Sequence, residues 1–216
     1  MGDKFLSGCP IFQMLSEAEL KRIGEAAKER PFLPGEVIFQ EGEKARHVWI
    51  VKKGWVRLAK QNGLKRQRTI FVLTPEEIFC GISAFDHSHY SATGIAATDS
   101  LLLQIPIEVF DELFERSPLF ARRLLKVCCD RIRHMAEAYC LSQAPVETRI
   151  LHVLKHLGKD FGLILPFTHR EIAEMAGTTI ETSIRTLSRL KKQGCVRSSR
   201  GKITLLKPKK NCLPLK

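Results

Sequence analysis

The stretch Thr168–Gly194, THREIAEMAGTTIETSIRTLSRLKKQG, reads as two short helices joined by a tight turn. Thr168 can cap the first helix, and Glu171, three residues on, completes a capping box. Ile172, Ala173 and Ala176 give that helix an inner face, and Gly177 ends it. Thr178 or Thr179 can cap the second helix, whose expected buried stripe is Ile180, Ile184, Leu187 and Leu190. Two helices around a glycine turn are a helix-turn-helix, in which the second helix reads the major groove.

The outward residues of that second helix suit the task. Arg185 has the fork to donate two hydrogen bonds to guanine O6 and N7. Glu181 can accept from cytosine N4, while Thr179 and Thr182 suit a phosphate or a thymine methyl. Thr168, His169, Ile180, Arg189, Lys192 and Lys202 complete the expected DNA-facing set, the lysines meeting phosphates without reading sequence. Beyond the second helix, CVRSS-RGK-ITLL reads as a two-stranded wing turning at Arg200-Gly201. Upstream, VETRILHVLKHLG carries Ile150, Leu151, Val153, Leu154 and Leu157 at helical spacing, with Gly158 as the expected terminator.

Charge agrees with this placement. From Pro145 to Lys216 there are 15 Lys and Arg against 5 Asp and Glu, whereas the first 144 residues hold 20 against 18. A basic module on a near-neutral body fits a polyanion partner. No apolar run approaches the roughly 20 residues that span a bilayer, and MGDKFLSGCPIF lacks the pattern of a secretory signal, so a cytoplasmic protein with no membrane partner is expected. Seven cysteines without a C-x-x-C pair argue against a disulfide scaffold, structural zinc or an iron-sulfur cluster. No spaced acid-base or metal motif suggests an enzyme; THREIAEM has the wrong acid and histidine spacing for H-E-x-x-H.

Residues 35–105 read as short strands, in GEVIFQEG, HVWIVKKGWVRLAK, QRTIFVL, SATGIAA and SLLLQI. Gly35, Gly42, Gly54 and Gly63 fall at the turns, and the spacing predicts an antiparallel barrel or jelly roll. A short helix from Glu17 to Lys28 precedes it, with Leu20, Ile23 and Ala27 inward. After Pro106 the pattern becomes helical, briefly at Glu108–Phe114 and then from Leu119 to Leu141. In the long helix Leu125, Cys128, Ile132, Met135 and Tyr139 step by threes and fours as a heptad-like seam, which predicts a parallel homodimer. Two reading helices would then reach major grooves about 34 Å apart and favour an inverted repeat.

FLPGEVIFQEG...HVWIVKKGWVRL and FTHREIAEMAGTTIETSIRTLSRLKKQG together resemble the CRP/FNR family of bacterial transcription regulators, over nearly the whole chain. The resemblance implies an α+β protein: a β-roll effector domain over 1–118, a dimerisation helix over 119–143 and a winged helix-turn-helix over 144–216. It implies double-stranded DNA, a second copy and RNA polymerase as partners, the last being what an activator addresses. It also places Glu181 and Arg185 at the family's DNA-reading positions. The sensor end departs from the cyclic-nucleotide binders. Gly81 stands where their ribose-binding glutamate belongs, and Tyr90-Ser91 where their phosphate-binding arginine-serine belongs, which argues against cyclic AMP.

Three signals stay open. Haem is the first, with His87 or His89 as the favoured ligand and His47 and His134 as others; Phe79-Cys80 resembles the carbon monoxide sensor's cysteine region, although Ile82 replaces its histidine. The expected pocket comprises Phe79, Cys80, Gly81, Ile82, His87, His89, Tyr90 and Ser91, with Arg131 and Met135 from the long helix. An organic or acidic small molecule is the second signal. Cysteine redox chemistry at Cys80 or Cys128 is the third.

Overall fold

The computed structural model describes residues 3–61 and 67–206. In chain order these form α1 (Asp3–Gly8), α2 (Glu17–Ala26), β1 (Lys28–Phe32), β2 (Val37–Phe39), β3 (His47–Lys53), β4 (Val56–Gln61), β5 (Gln67–Leu73), β6 (Ile78–Phe79), α3 (Gly81–Phe85), β7 (Thr93–Ala96), β8 (Ser100–Pro106), α4 (Ile107–Arg116) and α5 (Pro118–Cys140). There follow a 3-10 turn at Leu141–Gln143, α6 (Val146–Phe161), β9 (Ile164–Leu165), α7 (His169–Ala176), α8 (Ile180–Lys192), β10 (Val196–Ser199) and β11 (Lys202–Leu205). Two compact units result. One comprises Met1–Gln61 with Ile70–Arg133, the other Asn62–Thr69 with His134–Lys216.

The first unit is the expected β-roll. One four-stranded sheet runs β1-β8-β3-β6 and the other β2-β7-β4-β5. Side chains from both meet in one core, including Phe39, Leu58 and Leu73 from one sheet and Val48, Ile50, Phe79 and Leu102 from the other. Pro31 has no amide proton to donate, and it lies on β1, an edge strand where that loss is tolerated. At the β3–β4 turn Gly54 has φ +79°, and a Cβ there would lie 2.5 Å from Asp99 O. Only glycine meets both conditions. Gly63 lies outside the described residues. Helix α2 opens on a capping box in which Glu19 N donates to Ser16 Oγ (3.3 Å) and Ser16 N to Glu19 Oε2 (2.7 Å).

Helix α5 is 23 residues long. Leu124 is buried and Val127 packs on the β-roll core, as the wide apolar face required. Leu125, Ile132, Met135 and Tyr139 are instead exposed, and Cys128 is half-buried. One chain therefore leaves that stripe uncovered.

The second unit departs from expectation in two places. Gly158 does not end its helix; α6 continues to Phe161 and stops at Gly162, whose φ is +69°. A Cβ on Gly158 would lie 2.9 Å from Leu205 Cδ1, so this glycine lets the wing pack closely against α6. The wing also gains a strand, since β9 pairs with β11 in the order β10-β11-β9. No described helix is long and apolar enough to cross a membrane.

Candidate nucleic-acid interface

Helix α7 begins as its sequence requires. Glu171 N donates to Thr168 Oγ1 (3.2 Å), and Thr168 N donates to Glu171 Oε2 (2.7 Å). Its end is equally specific: Gly177 adopts φ 61°, ψ 46°, the left-handed cap that turns the chain into α8. Thr179 caps α8 by accepting from Thr182 N at 3.2 Å.

Helix α8 buries Ser183, Thr186, Leu187 and Leu190, the i, i+3, i+4, i+7 face. The expected stripe is thus corrected by a partial turn of the helix. Leu187 and Leu190 are inside, Ile180 is half-buried, and Ile184 is 42% exposed. Small polar Ser183 and Thr186 sit inward on a helix that packs on α6 and α7. Glu181, Arg185, Arg189 and Lys192 are exposed, and Thr182 is half-buried. Arg185 Nη2 donates to Thr182 Oγ1 at 3.3 Å, one turn back along the helix. Lys202 is exposed on the wing.

Arg189 and His169, both of the expected DNA set, also bond to other elements. Arg189 Nε lies 3.2 Å from Glu147 Oε2, linking α8 to the start of α6. His169 Nε2 shares a 2.7 Å hydrogen bond with Ser198 Oγ, joining the first turn of α7 to the wing. A third tie, from Arg149 Nη1 to Gly177 O (3.0 Å), holds the turn itself. Glu147, Arg149 and Ser198 carry no local motif, so nothing in the sequence pointed to them.

In the first unit the expected pocket residues do not share one cavity. Phe79, Gly81 and Tyr90 are buried, whereas Ile82, His87, His89 and Ser91 are exposed. His87 Nε2 faces Asp111 Oδ2 at 3.7 Å. Arg131 is half-buried, donates to Ile78 O and lies over the Phe71 ring at 5.7 Å; Met135 is an exposed residue of the second unit. A cleft of about 790 Å³ is lined by Phe32, Phe39, Trp49 and Tyr90 as walls, by Arg30, Lys44 and Arg46 as cations and by Glu43 as the one carboxylate, with His47 also in the lining. Tyr90 stacks on Phe39 (ring centroids 4.0 Å apart), and its hydroxyl donates to His47 O at 3.1 Å. Burial pushes the Tyr90 phenol up and the His47 imidazole down, which keeps both neutral. The three cations lie far apart in sequence from the DHSHYS loop, and only folding gathers them.

These positions also test haem. An axial ligand must reach the iron from the wall of an apolar slot, yet His87 and His89, the favoured ligands, lie on the surface. His87 and His89 therefore do not fit the group, and His134 belongs to the second unit, grouped with His152 and His156. Cys80 and Cys128 fare little better as redox sensors, because burial pushes both thiols up, away from the reactive thiolate.

The remaining cluster lies in the second unit. His134 near the end of α5 meets His152 and His156 of α6, and one ring nitrogen from each lies within 4.8 Å of the others. Burial, then the neighbouring imidazoles, push His156 down to about 4; burial is also the main cause of the lowering at His134 and His152. His152 and His156 stood hidden in LHVLKH, where the apolar period dominates. Their i, i+4 spacing was the available signal.

Comparison with known proteins agrees with this architecture. Residues 29–117 match the cyclic nucleotide-binding domain, and residues 148–210 match the Crp-like helix-turn-helix domain. The chain is 30% identical over 200 residues to the cyclic AMP receptor protein of Thermus thermophilus, covering 92% of this chain and 93% of that one. It is 26% identical over 215 residues to the transcriptional activator protein FnrA of Stutzerimonas stutzeri, covering 94% and 87%. The fold is also that of the c-di-GMP responsive regulator CLP of Xanthomonas campestris, with TM-score 0.75 at 18% identity over 88% of this chain and 99% of that chain. With a β-roll, a long helix and a winged helix-turn-helix in this order, the chain belongs to the CRP/FNR family of bacterial, non-catalytic DNA-binding transcription regulators.

Proposed function

We propose that two copies of this chain pair along α5 and read an inverted-repeat operator, under the control of an organic anion held in the β-roll cleft. The observation that carries the DNA half is the two-faced α8. Ser183, Thr186, Leu187 and Leu190 anchor it, while Glu181, Ile184 and Arg185 stand outward together. Arg185 reads a guanine, Glu181 its paired cytosine or the arginine itself, and Ile184 offers an apolar contact to a thymine methyl. Lys192 and Lys202 hold phosphates. The exposed apolar stripe on α5 supports the pairing, because a second copy would cover Leu125, Ile132, Met135 and Tyr139 at once.

For the signal, aromatic walls with three cations against one carboxylate, Glu43, whose Oε2 already accepts from Gln40 N, suit a planar organic anion: the rings bury its body, and Arg30, Lys44 or Arg46 meets its charge. Tyr90, a neutral phenol braced by Phe39 and His47, stands where a cyclic phosphate would need its arginine. The test selects a preferred duplex from a random pool and then titrates the protein with benzoate as probe. A palindromic winner, with its affinity shifted by benzoate in the native protein and not in Arg46→Ala, is expected. No preference over scrambled DNA at physiological salt would end the DNA reading. An unaltered affinity with benzoate and with larger aromatic carboxylates would end the effector reading.

A further inference from the structure

We propose that His134, His152 and His156 form a binding site for a divalent transition metal of the zinc class, built across the α5–α6 hairpin of the second unit. His152 and His156 lie one helical turn apart on α6, so both imidazoles project from one face. His134 reaches them from α5, and ring nitrogens of the three residues gather within 4.8 Å. A tetrahedral ion with Zn–N bonds of 2.0–2.1 Å needs its nitrogens about 3.3 Å apart. Small rotations of three side chains close that difference. His156 is the central ring, with centroids 4.4 Å from His152 and 4.5 Å from His134, while His134 and His152 stand 6.2 Å apart.

Two further observations point to a ligand. His152 Nε2 is buried and has no hydrogen-bond partner, which is costly for an ordinary packed histidine and is resolved by coordination. Glu137, one turn beyond His134 on α5, places Oε2 3.3 Å from His156 Nε2. A carboxylate in that place either orients the imidazole or takes the fourth position. Three neutral nitrogen donors select zinc, cobalt, nickel or copper over calcium and magnesium, which demand oxygen. Occupied, the site ties the last turns of α5 to α6, the helix on which α7 and α8 pack. The site is independent of the β-roll cleft and of the reading face.

The experiment uses the untagged full-length protein, stripped with chelator and titrated with Co²⁺ followed by visible absorption. One saturating equivalent per chain is expected, with the spectrum of nitrogen and oxygen donors, no thiolate charge-transfer band, and displacement by Zn²⁺. His152→Gln and His156→Gln should each weaken binding at least about tenfold, and the surface control His89→Ala should not. Excess Zn²⁺ should also raise the unfolding temperature of the native protein alone. If the variants misfold, the native protein decides. Zn²⁺ should protect these three histidines from acylation by diethyl pyrocarbonate. Unsaturable Co²⁺ uptake, equal binding by the variants, or unprotected histidines would each overturn the site.

Discussion

Arg149 Nη1 donates a 3.0 Å hydrogen bond to the carbonyl oxygen of Gly177, so α6 holds the turn that sets α7 against α8. Gly177 is a left-handed cap, and its carbonyl lies beyond the reach of either helix's own ladder. Arg149→Met keeps the aliphatic stem and removes the tie. It should cost about 1 kcal/mol, modest because the bond is solvent-accessible. Urea unfolding should show the loss, with a uniform, severalfold weakening of DNA binding. Unaltered stability and affinity would show that the turn needs no brace.

Arg185 and Lys192 should separate reading from positioning. Arg185→Ala should cost about 1–3 kcal/mol at one base pair of the selected operator and little at others. Lys192→Ala should weaken all duplexes alike and lower the salt slope by about one. Competition binding across single-base operator variants at several salt concentrations distinguishes the two.

Pairing along α5 predicts that Ile132→Glu is monomeric. Ile132 is 63% exposed in one chain, so the substitution spares the monomer's core and places two carboxylates against each other in a pair. Sedimentation should give a mass near 24.5 kDa for the variant and twice that for the native protein. A native protein that already sediments as a monomer would refute the pairing.

Gly54→Ala should destabilise the β-roll by more than about 2 kcal/mol, since the new Cβ meets both an unfavourable positive φ and Asp99 O. Gly35→Ala has the same sign of φ, yet a Cβ there meets nothing within 4 Å, so it should cost less. Thermal unfolding of both variants measures the steric part directly.

Thiol labelling tests the redox signal. Burial pushes Cys9 up to about 12 and raises Cys80 as well, so at pH 8 almost none of either is thiolate. Iodoacetamide should modify the exposed Cys140 well before Cys9 or Cys80, as read by peptide mass spectrometry. Rapid labelling of Cys80 would revive cysteine chemistry as the switch.

Much of this architecture is written in local chemistry. Thr168 with Glu171, Gly177 and Thr179 announce where α7 and α8 start and stop, because caps act within a few residues. The strand pattern of residues 35–105 and the apolar period of α5 are equally local, and with the basic C-terminal third they suffice for a β-roll, a long helix and a DNA-binding module. Tertiary packing decided the rest. It made Gly158 a packing contact for Leu205 within α6 instead of a helix end, and it turned Ile184 outward where Ser183 and Thr186 lie inside. It also drew Arg30, Lys44 and Arg46 around one cleft, left His87 and His89 on the surface, and brought His134 to His152 and His156. A site assembled from distant segments depends on how elements pack, and side-chain volume and burial set that packing where no single stretch of chain records it.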